Sequence, residues 1–115
     1  MNLAMYILVN SDIKIGKGKL AGQVGHAVGT YYYRKQFTQD LMDNYMKEQK
    51  KIILACPQEK LEELEEKGYI AIRDKGLTQL EPNTLTCVNY GILDRDLIED
   101  NQFPEFIKYL KLYTR

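Results

Sequence analysis

Apolar positions divide the chain into segments of two different periods. Leu3 to Val9 is an almost unbroken apolar run, the pattern of a strand buried on both faces. Asn10-Ser11-Asp12 and then Gly16-Lys17-Gly18-Lys19 form a polar, glycine-bearing connection. From Lys19 or Leu20 the period turns helical. Leu20, Val24, Ala27/Val28 and Tyr31 fall at i, i+4, i+7/8 and i+11, one apolar stripe. A second helix is expected from Thr38 to about Glu48, capped by Thr38 or Asp40. Lys51 to Cys56 reads as a second buried strand, and Pro57 opens a helix that Gly68 closes. Only Leu61 and Leu64 are apolar in that helix, which predicts a surface position with Glu59, Glu62, Glu63, Glu65 and Glu66 outward. Tyr69 to Arg73 predicts a third strand, Asp74-Lys75-Gly76 a turn, and Thr84 to Ile92 a fourth strand. Asp94 and Asp96 introduce a last helix, broken or restarted near Pro104 and running toward Leu110.

The order β-α-(α)-β-α-β-β-α predicts an α/β fold. The expected form is a single small domain over residues 1–115, with a four-stranded, mostly parallel or mixed sheet covered by helices on both faces. Composition fits an ordinary globular chain: 44% hydrophobic and 28% charged over 115 residues, with 16 cations balancing 16 acids. Those totals exclude disordered, fibrous and strongly basic chains. They also hide a partition. Residues 1–51 carry eight Lys plus Arg against four acids, and residues 52–115 carry eight against twelve. The zero sum therefore predicts a dipolar molecule, with a basic face for a polyanion and an acidic face turned away.

Cys56 and Cys87 have no Cys or His neighbour at ligand spacing, and His26 is the only histidine. A zinc site is not expected, and both thiols read as buried and reduced. Met1 to Val9 lacks a basic flank and a cleavage site, and no stretch approaches a membrane span. A cytoplasmic protein with no membrane partner is the expectation.

Candidate chemistry concentrates where the first strand meets the first helix. Free amides at a helix start favour an anion, and Lys17 and Lys19 add cations beside them. Lys19, Gln23 and His26 stand at i, i+4 and i+7, which predicts one shared face. A Walker phosphate loop is excluded, because Leu20 occupies the Ser/Thr position. Gly16, Gly18 and Ala21 do fit a dinucleotide fingerprint. That single match is weak, and the same glycines fit a plain turn in which Gly22, Gly25 and Gly29 allow close helix packing. His26 has no nucleophile near it in sequence and reads equally as a packed side chain. Tyr31-Tyr32-Tyr33-Arg34-Lys35 combines rings and cations that suit stacked bases and phosphates. Asp74 and Thr78 put a carboxylate and a hydroxyl at a strand exit, in a stretch that also suits a solvated turn.

Read together, these segments resemble the archaeal and eukaryotic type of peptidyl-tRNA hydrolase, the second peptidyl-tRNA hydrolase family. The matching pieces are residues 12–23 (DIKIGKGKLAGQ), His26-Ala27, residues 74–80 (DKGLTQL), Pro82, Thr86, Gly91 and Leu110-Lys111-Leu112-Tyr113. The resemblance implies hydrolysis of the ester between a peptide and the 3′-terminal ribose of tRNA, without a metal or other cofactor, by a homodimer. It assigns function to Lys19, Gln23, Asp74 and Thr78, expected to be catalytic, with His26 and Lys17 nearby; the chemistry of the residues adds Lys14, Arg34 and Lys35 to Lys17 and His26 as expected contacts with tRNA. A non-catalytic RNA- or protein-binding adaptor of the same fold is the alternative, and a nucleotide-binding α/β enzyme the third reading. Four places depart from the family pattern. Asn10 and Leu77 stand where arginines are usual, Asn83-Thr84 replaces Gly-Ser, and Gly91-Ile92 replaces Gly-Pro. Losing two arginine forks is expected to weaken phosphate or carboxylate binding, with Lys35, Arg73 and Lys75 as the nearest substitutes.

Overall fold

The computed structural model describes residues 1–76 and 81–114. Strand β1 spans Leu3–Asn10, helix α1 Lys17–Arg34, α2 Gln39–Tyr45, β2 Lys51–Cys56 and α3 Gln58–Glu66. Strand β3 spans Ile70–Arg73 and β4 Leu85–Asp94, followed by a 3-10 turn at Arg95–Leu97 and a short α4 at Glu105–Lys108. The sheet order is β2-β1-β4-β3. Strands β1 and β2 are parallel, while β4 is antiparallel to both β1 and β3. The sheet is therefore mixed, with one parallel pair, and not mostly parallel. The β3–β4 connection of eleven residues is too short for the crossover that a parallel pair requires.

Every side chain of β1 is buried, as its unbroken apolar run predicts. Alternation sends Ala4, Tyr6 and Leu8 to one face, where they meet Leu61 and Leu64 of α3 and Ile107 of α4. Leu3, Met5, Ile7 and Val9 go to the other face, against Ala27 of α1 and Met42 and Tyr45 of α2. Leu20, Val24, Val28 and Tyr31 pack on that second core, so the predicted stripe of α1 is its buried side. Helix α1 carries three cations and no acid, whereas α3 carries five acids and one lysine. The two signs lie on opposite sides of the sheet.

Thr38 caps α2, its hydroxyl accepting from the Leu41 amide at 3.1 Å. The last helix is broken and restarts at Pro104, as expected, and only short pieces of it form on either side. Asp94 and Asp100 bend the chain by accepting from the Asp96 and Gln102 amides, and Pro104 then caps the four-residue α4. Cys56 and Cys87 are free and buried. Burial pushes their thiols up to about 11 and about 12 respectively, which leaves them protonated and inert at neutral pH. No helix among the described residues is long and apolar enough to cross a membrane.

Candidate active site

Strands β1, β2 and β3 all finish at one end of the sheet, and α1 starts there. The N-cap of α1 is Gly16, with no side-chain cap and no acid in the first turn. Lys19 lies one turn in and reaches Asp74, which follows the last residue of β3. Their Nζ–Oδ1 distance is 2.7 Å, with 13% and 5% of the two side chains exposed. The sequence separates them by 55 positions; the fold makes them an ion pair. Asp74 is further held by the Gly76 amide, which donates to Oδ2 at 2.9 Å. Its own amide donates to the Thr84 carbonyl at 2.8 Å. The Lys19 hydrogen bond holds the Asp74 carboxyl below its ordinary 3.8 against the opposing pull of burial, with the Gly76 and Lys75 amides adding to it.

Gln23, one turn beyond Lys19, is buried. The hydroxyl of Thr86 on β4 sits 2.8 Å from its Oε1 and 3.0 Å from the Ile72 carbonyl. With Oε1 occupied by Thr86, the Nε2 donor of Gln23 takes no partner among the described residues. Thr86 is thus a residue the sequence marked only as part of a motif. A threonine predicted inside a strand gives no sign that its hydroxyl will lock a helix side chain 63 positions away. Asn89, also on β4, clamps α1 in the same way, donating to the Ala27 carbonyl at 3.0 Å.

The remaining candidates separate into near and far groups. Lys14 and Lys17 are exposed at the same end of the sheet and hold no ion pair among the described residues. Arg34 and Lys35 are exposed at the opposite end of α1, about 22 Å from Lys19 at 1.5 Å per residue. His26 does not join Lys19 and Gln23: it is exposed, and Ala27 takes the buried position beside it. Seven residues fall about 20° short of two full turns, on the solvent side of Lys19, whereas Gln23 and Ala27 turn the other way, toward the core. Thr78 and Leu77 lie outside the described residues. Among the described residues, no three His, Cys, Asp or Glu side chains gather as a metal site.

The departure at Asn10 and the candidate substitute Arg73 acquire a structural account. Asn10 is fully buried. It donates to the Leu85 carbonyl at 2.8 Å and to Gln58 Oε1 at 3.1 Å, and accepts from the Asp12 amide at 2.8 Å. Position 10 in this chain therefore joins β1, β4 and α3. Arg73 makes a two-pronged contact with Glu65 at 2.7 and 3.0 Å and donates to the Asn83 carbonyl, so it is occupied as a clamp. Lys75 is exposed beside Asp74 and holds no ion pair among the described residues. The glycines of α1 do not serve close packing within the fold. A methyl group placed on Gly18, Gly22, Gly25 or Gly29 meets no atom within 4 Å.

The chain matches the family model described as peptidyl-tRNA hydrolase PTH2 over residues 3–113. It is 40% identical over 93 residues to a peptidyl-tRNA hydrolase of Methanopyrus kandleri, covering 74% of this chain and 80% of the relative. A peptidyl-tRNA hydrolase of Saccharolobus islandicus is 34% identical over 108 residues, covering 83% and 90%. One of Thermoplasma volcanium is 35% identical over 100 residues, covering 79% and 86%. With the paired Lys19 and Asp74 and the locked Gln23 on a mixed four-stranded sheet, the chain belongs to the peptidyl-tRNA hydrolase PTH2 family.

Proposed function

We propose that this chain is an esterase that frees tRNA from peptidyl-tRNA by hydrolysing the bond between the peptide and the 3′-terminal ribose. Family membership carries the substrate class, and the half-sheltered Lys19–Asp74 pair carries the chemistry. In this reaction water attacks the ester carbonyl carbon, negative charge gathers on the carbonyl oxygen, and the ribose oxygen leaves with a proton. Lys19 spends one N–H on Asp74 and keeps two, enough to stabilise that oxyanion at a helix start that already favours negative charge.

Asp74 is a poor general base at neutral pH, because a useful base titrates near 7 and this carboxyl is held below 3.8. Its proposed role is to orient Lys19 and to accept a hydrogen bond from the attacking water. Gln23, with Oε1 engaged by Thr86, offers its Nε2 donor to the water or the ribose. Thr78 is proposed to share that task. Lys14, Lys17, His26, Arg34 and Lys35 are proposed to contact tRNA, mostly through phosphates, which suits an enzyme that accepts many tRNAs. A flat glycine strip along exposed α1 supports close approach of the RNA. The family reading supports a cytoplasmic homodimer, and sedimentation of the purified chain tests the second of these.

The deciding experiment incubates the chain with N-blocked aminoacyl-tRNA and follows deacylated tRNA. Release at a rate proportional to protein is expected. Tight binding without release would overturn the enzyme reading in favour of an adaptor.

A further inference from the structure

The C-terminal segment closes the outer edge of β2. The Ala55 amide donates to the Lys111 carbonyl at 2.8 Å, and the Tyr113 amide to the Ile53 carbonyl at 2.9 Å, around an antiparallel bridge between Leu54 and Leu112. Strand alternation puts Lys111 on the same side as Tyr113, whose ring packs on the core under α1. Facing this segment is the β1–α1 connection, tied to the end of β2 by the Ser11 amide on the Cys56 carbonyl at 2.9 Å. Between them lies an open cleft of about 620 Å³, walled by Ser11, Ile13, Lys14, Ala55, Lys111 and Tyr113 among others.

The charges in this cleft are what distinguish it. Among the described residues, Lys14 and Lys111 are both exposed, neither holds an ion pair, and no acid lines the cleft. Some other lysines are neutralised, Lys60 and Lys67 both sitting on Glu63 and Lys108 on Glu105. Two ammonium groups and a serine hydroxyl beside apolar Ile13 and Leu112 suit a strand of alternating phosphates and sugar–base units. The cleft also opens at the sheet end where Lys19 and Asp74 meet. With neighbouring strands about 4.8 Å apart, three strand spacings separate the outer edge of β2 from Asp74 beyond β3, about 15 Å. A few nucleotides of single-stranded RNA cover that span.

We propose that this cleft holds the phosphodiester backbone of the single-stranded 3′ end of tRNA, with Lys14 and Lys111 each contacting a phosphate. This rests on the ester-hydrolase reading above and adds Lys111 and the C-terminal segment to the substrate site. It also gives the segment a second task besides covering β2.

The test uses the full chain, with Lys14→Ala, Lys111→Ala and the double variant. Each is measured on N-blocked aminoacyl-tRNA over a range of salt, and on an N-blocked aminoacyl ester of adenosine that has no strand phosphates. Each single change is expected to raise KM for the tRNA ester about fivefold with kcat unchanged. Each should also flatten the salt dependence of deacylated tRNA binding by about 0.7 in log–log slope. The adenosine ester should be indifferent to all three. A double variant with wild-type KM and wild-type salt slope overturns the cleft. Should wild type release no tRNA, the hydrolase reading falls while the binding slopes still decide the cleft, so the two failures are distinguishable.

Discussion

Helices α1 and α3 make a controlled comparison inside one molecule. Both follow strands of the parallel pair β1 and β2, and both begin at the same end of the sheet. The start of α3 is neutralised by the chain itself. Asp12 accepts from the Gln58 amide at 2.9 Å, and Glu59 stands in the first turn. The start of α1 has no side-chain cap and no acid, and places Lys17 and Lys19 where the helix dipole disfavours cations. Each misplaced charge costs about 0.3–1 kcal/mol. One helix terminus is completed by the fold. The other is left positive and partly unsatisfied, which is what a site that receives negative charge requires.

The sharpest way to break this comparison is kinetic. Lys19→Ala and Asp74→Asn are expected to lower kcat on peptidyl-tRNA by about 10²–10³, with circular dichroism showing a folded chain. Asp74→Asn keeps the side-chain shape while removing the charge that orients Lys19. Asp12→Ala, at the matching position of the other terminus, is expected to leave kcat within a few-fold of wild type. If Asp12→Ala removed turnover and Lys19→Ala did not, the two termini would have exchanged roles.

Acid titration separates the same groups by pH. The Asp74 carboxyl is lowered in the folded chain, so its stabilising contribution is complete above the unfolded value of 3.8 and is lost as pH falls through the folded value. Glu65, held down by Arg73, behaves alike relative to its ordinary 4.5. Activity that depends on the Lys19–Asp74 pair should therefore persist down to at least the ordinary carboxylate range. An acid limb in kcat centred near 6 to 7 that disappears in Asp74→Asn would show a raised Asp74 acting as base, contrary to its environment.

How much of this was legible in the chain follows from which physical signals are local. The double-faced burial of β1 and the Pro-to-Gly limits of α3 are written in adjacent residues, and the structure matches both. The sheet expected as mostly parallel or mixed is mixed, and which pairs run antiparallel depends on connection lengths set against a topology, such as the eleven residues between β3 and β4. In the site, Lys19 and Gln23 share a face at four-residue spacing, but His26 at seven turns out to solvent. Thr86 and Asn10 act through partners 63 and 75 positions away, and only the closed sheet brings those together.

At the other terminus the expected effect is on stability. Removing the Asp12 carboxylate leaves the Gln58 amide without its acceptor, a loss of about 1 kcal/mol for a helix cap. For a chain of this size that is about 4 °C in Tm, measured by thermal unfolding. Gly16→Asp would make the reciprocal change, supplying α1 with the cap it lacks. Tm should rise by a similar amount while KM for the tRNA ester rises too, since the added carboxylate competes for the amides and for Lys19. A rise in Tm with unchanged KM would mean that the open start of α1 is not used by substrate.

The smallest expected effect concerns the exposed glycines, and it bears on why α1 is built as it is. Gly22 and Gly25 have ordinary helical backbone, unlike Gly68, Gly76 and Gly91 with positive φ. Alanine at either position meets nothing within 4 Å, so each substitution should stabilise the helix by about 0.5–1 kcal/mol. A chain that forgoes this on the solvent face of its longest helix gains nothing from it in folding. The proposed hydrolase gains a strip flat enough for RNA to lie close between Lys17 and Arg34. Gly22→Ala and Gly25→Ala are thus expected to raise Tm by a few degrees each and to raise KM for peptidyl-tRNA modestly, with the adenosine ester unaffected. A higher Tm with KM unchanged would remove the strip from the substrate interface and leave the contrast between α1 and α3 confined to their first turns.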